Sequence, residues 1–234
     1  MANQLRLRTD GLIKLVMVVV GCIAAWCLGL WLADYMIDGS LSQTFSRVQK
    51  LVQKPTHKAS SQKQHKCDHQ KSCPIGTFAF LVLSGAEKSK PPKICFEDEI
   101  LLGDVKNNFG QGMNIAIVEA KTGKLVDTGN FDLWGGDNSE PMIDFVKKAP
   151  DGSLILMATF GESSTRLTEE AKKYIEALGS VEVQKLAYRG NWVFLGTKGF
   201  GLPKSFRREK IINSESWPAE IQIDGCFSPK TDYL

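Results

Sequence analysis

The sequence predicts a mixed α/β domain of six to eight strands and two or three helices, stapled by disulfides and preceded by a targeting segment. Three observations carry this expectation. From residue 77 onward, short runs of branched and aromatic residues alternate with glycine- and proline-containing breaks, the pattern of strands separated by turns. Cys67, Cys73, Cys95 and Cys226 lie beyond an apolar N-terminal run, and an even number of cysteines in an oxidising compartment points to two bridges. The 234 residues are 43% apolar and 24% charged, which supplies a core and argues against wholesale disorder.

Charge divides the chain into three segments. Residues 1–33 read as a signal peptide or signal anchor: Arg6, Arg8 and Lys14 precede Leu15–Ala33, nineteen residues without a charge. Cleavage is the preferred reading. Either way, the basic flank places the rest of the chain in the lumen, so the expectation is a secreted, extracellular product, bound to a membrane only if the segment stays uncleaved. Cys22 and Cys27 sit inside this run as small apolar residues. Residues 34–66 read as a basic flexible linker or pro-segment, with Arg47, Lys50, Lys54, Lys58, Lys63 and Lys66 and no acid after Asp38. A solvated stalk is preferred there over a contact to glycosaminoglycan or phospholipid. Residues 67–234 form the globular domain. The whole chain carries +3, yet this domain holds 20 basic and 23 acidic residues, so nucleic acid is not an expected partner.

Each element has its own signal. Thr77–Ser84 reads as a buried strand, and after Pro91-Pro92 a short strand resumes at Lys93–Glu97. Asn114–Ala120 and Leu125–Phe131 form a hairpin through Lys121–Lys124. Asn138 or Ser139 is positioned to cap a helix with Pro141 in its first turn and Met142, Phe145 and Val146 on one face. Ala149–Gly152 stops it, and Leu154–Phe160 reads as a central strand. Thr168 caps a second helix that presents Ala171, Tyr174, Ile175 and Leu178, with Gly179 as its stop. Asn191–Thr197 is a further strand, Ser205–Ile211 a short helix, and Glu220–Asp224 a closing strand.

The chemistry is marked by what is missing. His57, His65 and His69 are the three histidines, and none lies beyond residue 69, which removes a required group from Ser-His-Asp and Cys-His catalysis. Gly110-Gln111-Gly112 and Gly199-Phe200-Gly201 complete no phosphate-binding fingerprint and read as turns. Five residues separate Cys67 from Cys73, which is not zinc-ligand spacing. Four cysteines allow three disulfide pairings, and spacing does not choose among them. Any of them ties Cys226 to the start of the domain, closing a loop of more than 100 residues and adding several kcal/mol. Glu97-Asp98-Glu99, or Asp132 with Asp137, could form an acid/base pair, but clustered acids at a strand end read first as a solvated loop. The expectation is therefore no catalysis, no cofactor and no metal. Asp132, Trp134, Gly135, Gly136, Asp137 and Trp217 are the candidate partner contacts, with core packing the competing role for the indoles.

Several stretches resemble a known family. Lys93–Asp98 (KICFED), Asn114–Val118 (NIAIV), Phe131–Asn138 (FDLWGGDN), Ala177–Ser180 (ALGS), Asn191–Phe194 (NWVF) and Trp217–Cys226 (WPAEIQIDGC) are similar to the PANDER/ILEI family of secreted, cytokine-like proteins. The Lys66–His69 start, Gly135–Ser139 and Arg208–Ile211 look most like its pancreatic-derived branch. The resemblance implies an α+β fold, a compact β-β-α sandwich of two antiparallel sheets flanked by helices. It also implies the pairs Cys67–Cys95 and Cys73–Cys226. The implied role is hormone-like signalling through a cell-surface receptor, acting on insulin secretion, β-cell survival and glucose and lipid handling. No catalytic residues carry over. Similar domains in a glycosyltransferase stem and in hyaluronan-processing surface proteins imply the alternative, a carbohydrate-binding module with glycan as partner. Family members usually carry an acidic turn where this chain has Phe160-Gly161-Glu162-Ser163, and a longer loop before Trp217. Leu195 stands where ILEI has a cysteine that links dimers, so a monomer is expected.

Overall fold

The computed structural model describes residues 14–32, 65–86, 89–214, 216 and 219–229. Two units divide the chain, residues 1–62 and 63–234. In the first, Lys14–Leu32 is one helix (α1) of mean hydropathy 2.5, long and apolar enough to cross a membrane, and equally suited to a signal sequence near the N-terminus. The linker expected at 34–66 lies outside the described residues except for His65 and Lys66.

The second unit is built from two antiparallel sheets. Four strands, β1 (Phe78–Leu83), β2 (Lys93–Phe96), β3 (Glu99–Leu102) and β9 (Gln222–Phe227), are ordered β3-β2-β1-β9. Five strands, β4 (Gly112–Glu119), β5 (Leu125–Phe131), β6 (Ser153–Phe160), β7 (Asn191–Lys198) and β8 (Glu209–Ile212), are ordered β5-β4-β6-β7-β8. Two helices, α2 (Ser139–Lys147) and α3 (Glu169–Ala177), pack on the five-stranded sheet.

Alternation along β4, β6 and β7 sets the layering. Ile115, Ile117, Ile155, Met157, Trp192 and Phe194 face a core shared with Met142, Ile143 and Val146 of α2 and Ala171 and Ile175 of α3. The intervening Ala116, Val118, Leu154, Leu156, Val193 and Leu195 face a second core shared with Phe80, Val82, Ile94, Phe96 and Ile223 of the other sheet. Helices, five-stranded sheet and four-stranded sheet thus stack as three layers, the β-β-α sandwich that the family resemblance implies. A middle sheet covered on both faces needs apolar residues at successive positions, which is why Leu154–Phe160, apolar but for Thr159, takes the central place. Leu195 is fully buried between the sheets.

The outer face of the four-stranded sheet is covered by the N-terminal segment. Cys67 bonds to Cys95 of β2, and Cys73 bonds to Cys226 of β9. The first bridge is buried with Leu81 beneath it. Asp98 Oδ1 accepts the Cys67 N–H at 3.1 Å and Glu97 Oε1 accepts the Ala79 N–H at 2.7 Å, while Lys66 pairs with Glu97 and Lys93 with Asp68.

The expected elements need several corrections. Nine strands are present among the described residues, not six to eight. The additional β3 comes after a two-residue turn at Glu97 (φ 51°) and Asp98 (φ 71°), a left-handed pair usually made by Asn-Gly and here held by those carboxylates' own hydrogen bonds. Ser205–Ile211 is not a helix. Residues 209–212 form β8, with Glu209 and Ile211 turned inward and Lys210 and Ile212 exposed, because the edge of β7 takes a partner there. Neither Asn138 nor Ser139 caps α2 through its side chain: the Asn138 amide donates to Asp132 O (2.9 Å), and the Ser139 hydroxyl donates to Arg166 O (2.7 Å). Thr168 does cap α3, its hydroxyl accepting from Ala171 N at 3.2 Å. The closing strand runs over Gln222–Phe227 rather than 220–224.

Candidate functional site

Where β5 ends, the chain makes a short loop before α2. Asp132 Oδ1 accepts the N–H groups of Trp134 (2.8 Å) and Gly135 (2.9 Å), a side-chain-closed turn. A Cβ on Gly136 would stand 2.3 Å from Asn138 Nδ2, so the amide that closes the loop onto Asp132 O requires glycine there. Leu133 is fully buried in the helix-facing core, which leaves Trp134 pointing out, 54% exposed. From the other side, Arg166 fixes the loop: its N–H donates to Leu133 O and its Nε to Trp134 O, both at 3.0 Å.

Trp134 has company that sequence spacing does not show. Its ring lies 5.9 Å from that of Tyr188, which is 50% exposed, and the Arg189 guanidinium carbon sits 4.9 Å from the Tyr188 centroid. Three neighbouring side chains are thus an exposed Trp, an exposed Tyr and a half-buried Arg, the residue types in which interface binding energy concentrates. Tyr188 and Arg189 lie more than 50 positions beyond Trp134, in the connection between α3 and β7. The one signal for them was an aromatic–Arg–Gly triplet just before an apolar run.

Glu162 supports this face from below. It is 5% exposed. Its Oε1 accepts from Ser164 N (2.6 Å), Ser164 Oγ (2.8 Å) and Thr165 N (2.9 Å), and its Oε2 from Arg189 N (2.5 Å). Arg189 is held in the left-handed region at φ 60°, and this carboxylate secures it there. Burial alone would raise the Glu162 pKa, but the donors from Arg189, Ser164 and Thr165 outweigh it and hold the carboxyl below its ordinary value. The departure at 160–163 is therefore a buried tether and not an exposed acidic turn. Glu162→Gln should cost about 1–3 kcal/mol at pH 7, because an amide NH2 replaces an acceptor among four donors. A lowered folded-state pKa adds stability above the unfolded value of about 4.3 that is lost as pH falls through the folded one. Urea unfolding of both proteins should show their difference shrinking below about pH 4; a constant gap would sink the assignment.

The expected site residues fall into separate places. Asp132, Trp134, Gly135, Gly136 and Asp137 share the one loop, Asp137 and Gly135 being exposed. Trp217 lies outside the described residues. The carboxylates considered for acid/base work have structural partners: Glu97 and Asp98 hold the N-terminal segment, Glu99 pairs with Lys106 at 2.8 Å, and Asp132 closes its turn.

Known proteins share this geometry's sequence. Residues 111–200, which run from β4 through β7 and contain the Trp134 loop and Tyr188, match the model of the family described as Interleukin-like EMT inducer (ILEI). Human Protein FAM3B is 44% identical over 224 residues, covering 93% of this chain and 95% of that protein. The chain belongs to the ILEI/FAM3 family. Rat Protein FAM3C is 38% identical over 231 residues, 97% of this chain and all of that protein. Protein FAM3A of Pongo abelii is 33% identical over 230 residues, 94% and 97% of the two chains. This is a cytokine-like family, and these three FAM3 proteins align with the present chain along almost their whole length.

Proposed function

We propose that this ILEI/FAM3 member is a secreted, hormone-like signalling factor that acts through a cell-surface receptor on insulin secretion, β-cell survival and glucose and lipid handling. Membership of a cytokine-like family supports the reading, as do the apolar helix at the N-terminus and two disulfides suited to an oxidising route. The observation that carries it is the Trp134–Tyr188–Arg189 face, an aromatic pair beside a cation on loops pinned by Arg166 and Glu162. Side chains held rigid before contact lose little entropy on binding.

Saturable binding of the labelled secreted protein to pancreatic β-cells is the test. The Trp134→Ala/Tyr188→Ala variant should bind about thirtyfold more weakly or worse, the loss of two central contacts. Val105→Ser, at another exposed apolar side chain (82%), should bind as the parent does. Absence of saturable binding by the parent would overturn the receptor reading. Equal binding by the double variant would remove this face from it.

The same exposed indole favours a second reading as a carbohydrate-binding module, since a half-exposed tryptophan offers a flat apolar face to a sugar ring. Binding to isolated glycans on an array, lost with Trp134→Ala, would replace the receptor reading. Silence across the array removes the alternative.

A further inference from the structure

Three ligand-type side chains that the Trp134 face does not use meet at the N-terminal segment. A ring nitrogen of His69 and the sulfurs of Cys73 and Cys226 all lie within 4.8 Å of one another, although Cys73 and Cys226 are 153 positions apart. The imidazole is oriented for metal binding. His69 Nε2 lies 2.9 Å from the carbonyl oxygen of Phe80, and a carbonyl only accepts, so Nε2 carries the proton. Nδ1 is left with its lone pair toward Cys73 Sγ, 3.7 Å away. A backbone carbonyl on the far nitrogen is how metal-ligating histidines are commonly held.

The two disulfides differ in access. Cys67 and Cys95 are each 2% exposed, whereas Cys73 and Cys226 are each partly exposed. Cys226 and His69 line a surface cleft together with Asp68, Lys71 and Asp224. A soluble reductant therefore reaches the Cys73–Cys226 bridge first, and a cation has a route in past Asp224, with Asp68 beside it paired to Lys93.

We propose that the Cys73–Cys226 bridge is the oxidised form of a zinc site made by His69, Cys73 and Cys226. A dithiol reductant breaks the S–S bond in a two-electron step, leaving two thiols on the protein and a disulfide on the reductant. Zn2+ then displaces both thiol protons, binds the two thiolates and His69 Nδ1, and keeps its fourth position for water. Thiolate and imidazole ligands select zinc over calcium or magnesium. With the two Cα atoms 5.6 Å apart, side-chain rotation is enough to let the sulfurs straddle an ion at about 2.3 Å from each. The metal closes the same long loop that the disulfide closes, so loading restores the constraint that reduction removes.

The test uses the full chain in detergent, with Cys22→Ser and Cys27→Ser because both are free thiols. The chain is treated with a dithiol until alkylation mapping shows Cys73 and Cys226 reduced and Cys67–Cys95 intact, then gel-filtered and titrated with Co2+ and Zn2+. The reduced chain should take up one Co2+ with thiolate charge-transfer absorption that Zn2+ abolishes, and the oxidised chain none. Zn2+ should also raise its unfolding temperature and shield Cys73 and Cys226 from iodoacetamide. His69→Ala should bind at least about tenfold more weakly and lose the shielding. Cobalt uptake without that absorption, binding by His69→Ala as tight as the parent's, or reduction of Cys67–Cys95 ahead of Cys73–Cys226 would overturn the proposal.

Discussion

A Cys73→Ala/Cys226→Ala protein should lose about 5 kcal/mol of unfolding free energy in the absence of metal, against about 3.6 kcal/mol for Cys67→Ala/Cys95→Ala. The order comes from sequence separation, 153 positions for the first bridge and 28 for the second. Constraining a longer loop removes more of the unfolded chain's freedom, while the folded state gains little from either bond. Burial ranks them the other way, since Cys67 and Cys95 sit in the interior. The comparison therefore tells loop entropy from local packing. Guanidinium unfolding without reductant is the measurement, and a larger loss for the buried pair would show that packing dominates. Domains of this kind are stable by about 5–15 kcal/mol, so the first variant should also be recovered folded at a fraction of the parent's yield.

Trp192→Ala should cost a further large amount, about 4–5 kcal/mol, by leaving a void in the helix-facing core. Trp192 is fully buried, stacks on Phe194 with centroids 5.1 Å apart, and donates from its indole to Glu209 Oε2 at 3.1 Å. That carboxylate also accepts from Ser180 Oγ and Val181 N, both at 2.6 Å, so one buried indole links β7, β8 and the turn after α3. Trp192→Phe fills most of the space and forfeits the indole donor, and it should cost only about 1–2 kcal/mol. Urea unfolding of both variants separates volume from hydrogen bonding. Equal losses would mean that the bond to Glu209, not the filled space, is what matters.

Where burial on both faces or one local cap decided the outcome, the sequence was readable. β4, β6 and β7 announce themselves as apolar runs because both faces are covered, and Thr168 and Gly179 bracket α3 by local chemistry alone. Elements fixed by distant partners were not readable. β3 hides behind a turn whose residues, Glu97 and Asp98, owe their left-handed backbone to contacts with residues 66, 67 and 79. β8 begins within a run of four consecutive charges, Arg207 to Lys210, with no strand signal of its own, and becomes a strand because the edge of β7 takes it as a partner. Asn138 and Ser139 have cap-forming side chains that are taken by Asp132 and Arg166 instead. The candidate site divides the same way. Trp134 and its glycines lie in one loop and could be marked from sequence, whereas Tyr188, Arg189 and Glu162 join them only once α3 and β7 are folded.

Both disulfides begin within seven residues of each other, at Cys67 and Cys73, and each runs to a different strand. A protease that cuts upstream of Cys67 sheds the leader and leaves the domain intact. A cut anywhere between Cys67 and Cys73 sheds nothing, because the severed N-terminal part stays bonded through Cys67 to Cys95 in the remainder. The position of a single scissile bond, a few residues either way, thus decides whether a cut frees the domain from the segment before it or leaves the two covalently joined.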